Sequence, residues 1–138
     1  MSAFTGKRVL ELCETVAGEY CGKLLADLGA EVIKIEELGP GDQTRTIPPF
    51  VQGESHYYLS INRNKQSIAV DLKSDHGRDL ILRLAARSDA LVENFRPGVM
   101  KRLGLDYDTL SALQPKLVYC SISGFGQTGS WAGRSAYR

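Results

Sequence analysis

The stretch "RVLELCETVAGEYCGKLLADLGAEVIKIEE", residues 8–37, decides the fold of this chain. It begins with a short apolar run, "RVLEL" (8–12), and ends with a second one, "AEVIKIEE" (30–37), each typical of a buried strand. Gly29 is placed to end the helix between them. The apolar residues of that helix recur at the spacing of one helix face, formed by Ala17, Cys21, Leu24, Leu25 and Leu28. Strand, helix and strand predict a βαβ unit whose two strands are parallel.

The alternation of strand and helix patterns continues along the chain. Further strand patterns stand at 66–73, 89–95 and 116–123, and Ser74 is placed to cap a helix after the first of them. Five strands, mostly joined through helices, predict an α/β fold with a parallel sheet. Ligands of such sheets lie at the carboxyl ends of the strands, so function is expected in the loops after residues 12, 36, 73, 95 and 123.

Composition narrows the class of protein. A chain of 138 residues with 43% hydrophobic and 24% charged side chains predicts one globular domain or a part of one. The formal charge of +1 gives no broad field for nucleic acid or a membrane surface, so neither is expected as a partner. The absence of a long apolar run favours a cytoplasmic protein without a membrane span. Three widely spaced cysteines are interpreted as core thiols, namely Cys13, Cys21 and Cys120.

Three of the expected loops carry residues that suit a phosphorylated ligand. "ENFRPGVMKRLG" (93–104) predicts a short helix whose free N–H groups and basic neighbours could bind a phosphate. "NRNKQSIAVDLK" (62–73) adds basic residues around a strand, and "SISGFGQTG" (121–129) adds glycines that let backbone approach a ligand. Taken alone, each of the first two stretches is somewhat more typical of a structural role, a helix entry with a solvated face in the first and a solvated strand border in the second. The basic residues concerned are Arg63, Lys65, Lys73, Arg96, Lys101 and Arg102.

Other chemistries are disfavoured by the same sequence. Glu36, at the end of the second strand, suggests the ribose-binding position of a dinucleotide fold, but the loop before the helix lacks the three glycines of that fingerprint. His56 and His76 do not stand at ligand spacing from Cys, Asp or Glu, so no metal site is expected. No nucleophile elbow is present for a serine hydrolase.

Taken together, six segments and the terminal "AYR" closely resemble, in order and spacing, the N-terminal part of family III coenzyme A transferases. The segments are "LLADLGAEVIKIE", "GPGDQTR", "NRNKQSIAVDLK", "LVENFRPGVMKRLGLDY", "LVYCSISGFGQTG" and "AYR". The resemblance implies that residues 1–138 are a CoA-binding, Rossmann-like segment of the large domain. It also implies a longer full chain, with a small domain and a C-terminal return segment outside these residues, and an interlocked homodimer.

The resemblance also implies which residues bind CoA, and these are Val16, Ala17, Val70, Lys73, Asn94, Phe95 and Arg102. The first two would line the pantetheine and thioester end, the next two the adenosine and phosphate end, and the last three the cofactor wall. Tyr137 matches an aromatic residue near the reacting centre. Two positions depart from the family: Glu37 stands where some members have an arginine, and Arg138 stands where the pattern has Asp or Glu.

In the family that this chain resembles, the nucleophile is an aspartate downstream of the terminal motif. It attacks the acyl thioester to give a mixed anhydride and then an aspartyl-CoA thioester that passes CoA to a carboxylic acid. The expected function is therefore this CoA transfer without a metal, with the nucleophile beyond residue 138 and the short chain inactive alone. Two alternatives stay open: a relative of the α-methylacyl-CoA racemases, which have a histidine where this chain has Tyr137, and a non-catalytic CoA-binding or dimerisation module.

Overall fold

Residues 2–136, which the computed structural model describes, form a five-stranded sheet flanked by helices. In chain order the elements are β1 (Arg8–Leu12), α1 (Val16–Asp27), β2 (Glu31–Glu37), a 3₁₀ turn (Gln43–Thr46), β3 (Phe50–Val51), β4 (Glu54–Ser55), α2 (His56–Asn62), β5 (Lys65–Val70), α3 (Asp75–Ala85), β6 (Ala90–Glu93), α4 (Val99–Arg102), α5 (Tyr107–Leu113) and β7 (Val118–Ser121). The strand order is β5-β2-β1-β6-β7, and all neighbouring pairs are parallel. The predicted α/β fold and the βαβ unit are confirmed.

One face of the sheet carries the larger apolar core. Leu10 of β1 and Ile33 of β2 point to this face and pack with Ile81 of α3 and Leu110 of α5. Three of these side chains are fully buried and Ile33 is 9% exposed, so this layer supplies much of the hydrophobic stabilisation of the fold. Ser74 caps α3 as predicted, because its hydroxyl accepts a hydrogen bond from a backbone N–H of the first turn.

Helix α1 covers the other face of the sheet with small residues, and only part of its predicted apolar face, Cys21 and Leu25, packs against the core. Leu24 and Leu28 are 44% and 47% exposed. A Cβ atom built on Gly22 would lie 1.7 Å from Glu11 Oε2, so only glycine allows the helix to lie this close. The buried face of the helix is therefore made mostly of small residues, which leave room for the charged side chains of the sheet beneath it. Its buried residues are Gly18, Glu19, Gly22 and Ala26.

The long connection after β2 contains structure that the sequence patterns did not predict. It forms the 3₁₀ turn, the β3-β4 hairpin and the seven-residue helix α2, which packs against α1. Ser55 caps α2 by accepting a hydrogen bond from Tyr58 N at 3.2 Å. The strands are also shorter than the apolar patterns, since β6 ends at Glu93 and β7 ends at Ser121.

Candidate functional site

A cavity of about 510 Å³ opens at the carboxyl ends of β1, β2, β5 and β6. This is the edge of the sheet at which ligands were expected, next to the point where the strand order reverses between β1 and β6. The loops after these four strands all contribute to it, whereas the loop after β7 does not. The lining residues are Cys13, Glu14, residues 35–38, Gly41, Asp42, residues 70–73, Phe95, Val99 and Leu103.

The structure brings part of the predicted site together at this cavity. The predicted residues that line it are Val70, Lys73 and Phe95. Val16 and Ala17 are exposed in the first turn of α1, and Arg102 is exposed on α4. Asn94 lies beside the loop that follows β1. Tyr137 lies outside the described residues.

The Asn94 side chain joins the loop after β6 to the loop after β1. Its Oδ1 accepts a hydrogen bond from Glu14 N at 2.9 Å, and its Nδ2 donates to Glu14 O at 2.6 Å. The next residue, Thr15, has φ 64° and ψ −172°, a conformation that is strained for a β-branched residue. The paired hydrogen bonds therefore hold a strained loop in place at the cavity edge.

Glu36 fastens the connection after β2 to the sheet. Its carboxylate accepts hydrogen bonds from Arg45 Nε at 2.7 Å, Tyr58 Oη at 2.8 Å and Asp42 N at 2.9 Å, and from the Ser67 hydroxyl. Burial alone would raise the pKa of Glu36, but these hydrogen bonds outweigh it and lower the pKa to about 2. This carboxylate, which the sequence suggested for a ribose, is already fully engaged with protein groups.

Beneath α1 lies a group of buried charges, here named the buried charge cluster: Glu11, Glu19, Lys34, Asp42 and Lys65. None of these side chains is more than 2% exposed. The Lys34 ammonium lies 2.6 Å from Asp42 Oδ2, 2.9 Å from Glu19 Oε1 and 3.3 Å from Glu11 Oε1. Lys65 Nζ lies 2.8 Å from Glu11 Oε2. The cluster therefore links β1, β2, α1 and the loop that carries Asp42 to the start of β5.

The prediction of a phosphate-binding group at residues 62–73 is wrong for two of its three basic residues. Lys65 belongs to the buried charge cluster, because the start of β5 lies under α1 within reach of Glu11. Arg63 is exposed and binds the Asp27 carboxylate, with Nη2 2.7 Å from Oδ2. Lys73 is the member of this group that lines the cavity.

The short helix predicted within residues 93–104 is present, but it is a weaker phosphate site than expected. Helix α4 is a single turn of four residues. Its first N–H, on Val99, donates to Arg96 O at 3.1 Å, so it is not free for a ligand. Arg96, Lys101 and Arg102 remain exposed, and they offer basic side chains rather than a helix dipole.

A second cavity of about 390 Å³ contains a residue that sequence reasoning missed. Glu93, at the end of β6, is buried, and its carboxylate accepts hydrogen bonds from the Ser121 hydroxyl and from Phe95 N. Gln127 Nε2 donates to Ser121 Oγ at 2.7 Å. Burial raises the pKa of Glu93. The available signal in the sequence was an acidic residue at the end of an apolar strand pattern. Glu93 is joined through Ser121 to Gln127 of the glycine-rich loop that follows β7.

Residues 2–136 contain neither a metal-binding group nor a helix that could span a membrane. No group of three or more His, Cys, Asp or Glu side chains there is arranged to hold a metal ion. No helix in the same residues has the length and apolar character needed to cross a membrane. The cysteines are free thiols, of which Cys13 is buried while Cys21 and Cys120 are half-buried.

Comparison with known proteins gives a consistent result for the whole chain. The family model described as CoA-transferase family III matches residues 4–138. A succinyl-CoA:glutarate CoA-transferase of Mus musculus is 47% identical over 138 residues, which are 99% of this chain and 32% of that protein. An acetyl-CoA:oxalate CoA-transferase of Acetobacter aceti is 46% identical over 134 residues, which are 97% of this chain and 34% of that protein.

The solved structures give the same answer. A CAIB/BAIF family protein from Brucella suis superposes with a TM-score of 0.93 at 44% identity, over 99% of this chain and 37% of that one. The chain therefore spans about a third of the length of the relatives that it matches.

Proposed function

Because this chain belongs to CoA-transferase family III, we propose that it supplies the CoA-binding part of an enzyme that transfers CoA from an acyl-CoA thioester to a carboxylic acid. The observation that carries this proposal is the cavity at the carboxyl edge of the sheet. It combines an apolar wall, including Val70 and Phe95, with a lysine at residue 73 and exposed basic residues on the neighbouring α4.

The chemistry of this cavity suits the parts of CoA. The pantetheine arm is largely apolar and matches the wall formed with Phe95, whereas the phosphates need the exposed cations Lys73 and Arg102. Two of the five carboxylates in the lining are neutralised by cations, Glu36 by Arg45 and Asp42 by Lys34, whereas no ion pair among the described residues is seen for the other three, Glu14, Glu37 and Asp71. The phosphates would therefore lie toward the basic rim, outside the acidic floor.

We place the nucleophilic aspartate outside residues 1–138. The two aspartates that line the cavity have structural contacts: Asp42 binds Lys34, and Asp71 accepts a hydrogen bond from Lys73 N at 2.9 Å. In the reaction that family membership implies, an aspartate attacks the acyl carbon and releases the CoA thiolate, which then attacks the aspartyl carbonyl and frees the donor acid. The acceptor carboxylate then attacks the aspartyl-CoA thioester and releases the CoA thiolate. The thiolate attacks the acceptor's acyl carbon, which gives the new acyl-CoA and frees the aspartate.

Transfer is favoured over the racemase and over the non-catalytic module. The relatives described above are named as CoA-transferases, with succinyl-CoA, glutarate, acetyl-CoA and oxalate in their names. Small dicarboxylic acids are therefore the acceptors to test first. The residue that would distinguish the racemases, Tyr137, lies outside the described residues, so a direct assay of epimerisation belongs beside the transfer assay.

The binding half of the proposal is tested by calorimetric titration of the protein with CoA and with NAD. CoA should bind more tightly, because the loop before α1 lacks the glycine fingerprint of dinucleotide sites. Arg102→Ala should weaken CoA binding by about 1.5–3 kcal/mol, the scale of a charge-assisted hydrogen bond. Arg87→Ala removes an exposed arginine after α3 and should leave the affinity unchanged. Tighter binding of NAD would refute the proposal.

The catalytic half is tested by comparing this chain with a chain of its relatives' length that contains it. Transfer of CoA from succinyl-CoA to a panel of dicarboxylic acids should need the longer chain, and mass spectrometry should find its covalent adduct on an aspartate outside residues 1–138. Turnover by the 138-residue chain, with an adduct on one of its own residues, would place the nucleophile here instead.

We also propose that the full-length protein is a cytoplasmic homodimer. An apolar stripe on the outer face of α1 supports a partner surface, since its members are 43–49% exposed and soluble monomers seldom leave such a row uncovered. Free thiols support a reducing compartment. Light scattering should give twice the chain mass for the full-length protein, and a monomer would refute the dimer. The stripe consists of Val16, Tyr20, Leu24 and Leu28.

A further inference from the structure

The buried charge cluster cannot be neutral when all its groups are ionised. It contains three carboxyl groups and two ammonium groups, so its full ionisation leaves one uncompensated negative charge among side chains that are at most 2% exposed. A buried group in that position commonly changes its protonation state, because an unpaired charge is costly away from water. The cluster becomes neutral when one of its carboxyl groups keeps a proton.

The contacts place this proton on the pair formed by Glu19 and Asp42. Both carboxyl groups contact the Lys34 ammonium, with Glu19 Oε1 2.9 Å and Asp42 Oδ2 2.6 Å from Nζ, so the two groups lie side by side at one cation. Glu19 Oε2 is buried and has no hydrogen-bond partner among the described residues, and a proton shared with Asp42 would give it one. Burial raises the pKa of Glu11 as well, but Glu11 lies between two ammonium groups, 2.8 Å from Lys65 Nζ and 3.3 Å from Lys34 Nζ, which oppose that rise and favour its ionised form over that of Glu19.

Asp42 belongs to the wall of the cavity. Its backbone N–H donates to Glu36, and its Oδ1 accepts hydrogen bonds from Thr44 N at 2.7 Å and Thr44 Oγ1 at 2.6 Å, which shapes the turn that follows. Gly41 and Leu38 of the same loop line the cavity beside it. Glu19, on α1, is therefore the group through which the helix reaches this wall.

We propose that Glu19 and Asp42 share one proton that fastens the cavity loop, residues 38–46, to α1, and that Glu19 is thereby a positioning residue for the CoA site. The inference rests on the proposed function, because CoA is the ligand whose affinity it controls. Loss of the proton leaves two adjacent carboxylates that repel each other across the junction of helix and loop. The loop wall then loosens, and CoA affinity falls.

The direction of the pH effect follows from the Glu19 environment. Burial, with the hydrogen bond to Asp42 next in size, raises the pKa of Glu19 to about 8. The shared proton is therefore present below this pH and is lost as the pH rises through it. The titratable and charged groups that face the pair are Glu11 on β1, Cys13 and Glu14 in the following loop, Lys34 on β2 and Lys65 on β5.

The test is a calorimetric titration with acetyl-CoA, which has no free thiol to titrate, at a series of pH values across about 6.5–9.5. The affinity should be constant at the acidic end and fall by up to about tenfold per pH unit above pH 8, the limit for one linked proton. Glu19→Gln keeps a neutral hydrogen-bonding side chain of the same size and should abolish the fall. Glu31→Gln removes an exposed carboxylate at the far end of β2 and should keep it.

A second variant guards against failure of Glu19→Gln to fold. Asp42→Asn leaves two carboxylates and two ammonium groups, so the cluster is neutral without a shared proton and the pH dependence should again disappear. Profiles of either folded variant that follow the wild-type profile above pH 8 would overturn the inference.

The proton itself is measured without CoA, by a carbon-13 NMR titration of protein labelled at the glutamate carboxyl carbons. The Glu19 signal, assigned by its loss in Glu19→Gln, should titrate near pH 8. Titration near the ordinary glutamate pKa of about 4.3 would overturn the shared proton. If acetyl-CoA fails to bind at every pH while Glu19 titrates near 8, the proposed function is refuted and the shared proton stands.

Discussion

Lys65 and Lys73 lie at opposite ends of β5, and one charge is buried whereas the other is exposed. The side chain of Lys65, at the start of the strand, is 1% exposed, and its ammonium binds Glu11 inside the buried charge cluster. Lys73, three residues past the end of the strand, is exposed and lines the cavity. The first charge is part of the fold, because leaving its partner unpaired would cost several kcal/mol, about 3–5 in comparable cases. The second has no ion pair among the described residues, and it is the charge that we propose binds the ligand.

The sharpest way to break this contrast is to remove each charge with the same substitution. Lys65→Met should lower the free energy of unfolding by about 3–5 kcal/mol, because the Glu11 carboxylate loses its nearest ammonium while it stays buried. Urea denaturation followed by circular dichroism measures the loss. A decrease below about 1 kcal/mol, the value of an exposed ion pair, would show that Lys65 is not part of the fold in this sense.

Glu36 combines the two situations of Lys65 and Lys73, because it is buried beneath the connection after β2 and also lines the cavity. Its pKa falls to about 2 in the folded protein, so its stabilising effect is present above the ordinary value of 4.5 and is lost as the pH falls toward 2. The free energy of unfolding should decrease by about 2–3 kcal/mol more in the wild type than in Glu36→Gln over this interval. Denaturation curves across the interval test this, with Glu31→Gln as a control that keeps the wild-type slope. Equal slopes in all three proteins would contradict it.

Lys73→Met completes the matched pair. It should weaken CoA binding by about 1–2 kcal/mol, or roughly 5–30-fold, and leave the free energy of unfolding within about 0.5 kcal/mol of the wild type. Calorimetry and urea denaturation on the same preparation give both numbers. Loss of stability with unchanged affinity would reverse the roles assigned to the two ends of β5.

The smallest effect is expected at Thr15, where the cavity side of the molecule stores backbone strain. Thr15→Gly should raise the free energy of unfolding by about 1 kcal/mol, because glycine adopts a positive φ without a steric cost. Asn64, with φ 64°, is the matched position, and Asn64→Gly should gain less, since asparagine tolerates the left-handed region. A larger gain at residue 64 would remove the argument for strain at Thr15.

The sheet and the position of the cavity could be predicted from the sequence, whereas the buried charges could not. Runs such as "RVLEL" and "DALVENF" are apolar over the length of a strand, and the rules for parallel sheets then locate the ligand edge. The partners of Lys34 are 23, 15 and 8 residues distant along the chain, and only folding brings them together. A lysine between two isoleucines, as in "IKI" (33–35), was the available local signal.

The short helix α2 escaped prediction for a related reason. Seven residues are too few for a clear helical period, and its stability comes from the Ser55 cap and from packing on α1. The predicted apolar face of α1 coincides only in part with its buried face, because hydrophobic periodicity assumes that the largest apolar side chains point inward. Here the layer below already contains charged side chains, and the close approach selects glycine.

The glycines on the inner face of α1 determine which amino-acid substitutions this helix tolerates. In most surface helices the inner positions accept several apolar residues and refuse polar ones. At Gly22, even the single methyl group of alanine would fall on the Glu11 carboxylate, so polarity is irrelevant and volume decides. The leucines on the outer side, at 24 and 28, are half exposed and face no such limit of volume. We therefore expect substitutions at Gly22 to be limited by the space that faces the sheet, and substitutions at Leu24 and Leu28 to be limited much less by the fold of these residues.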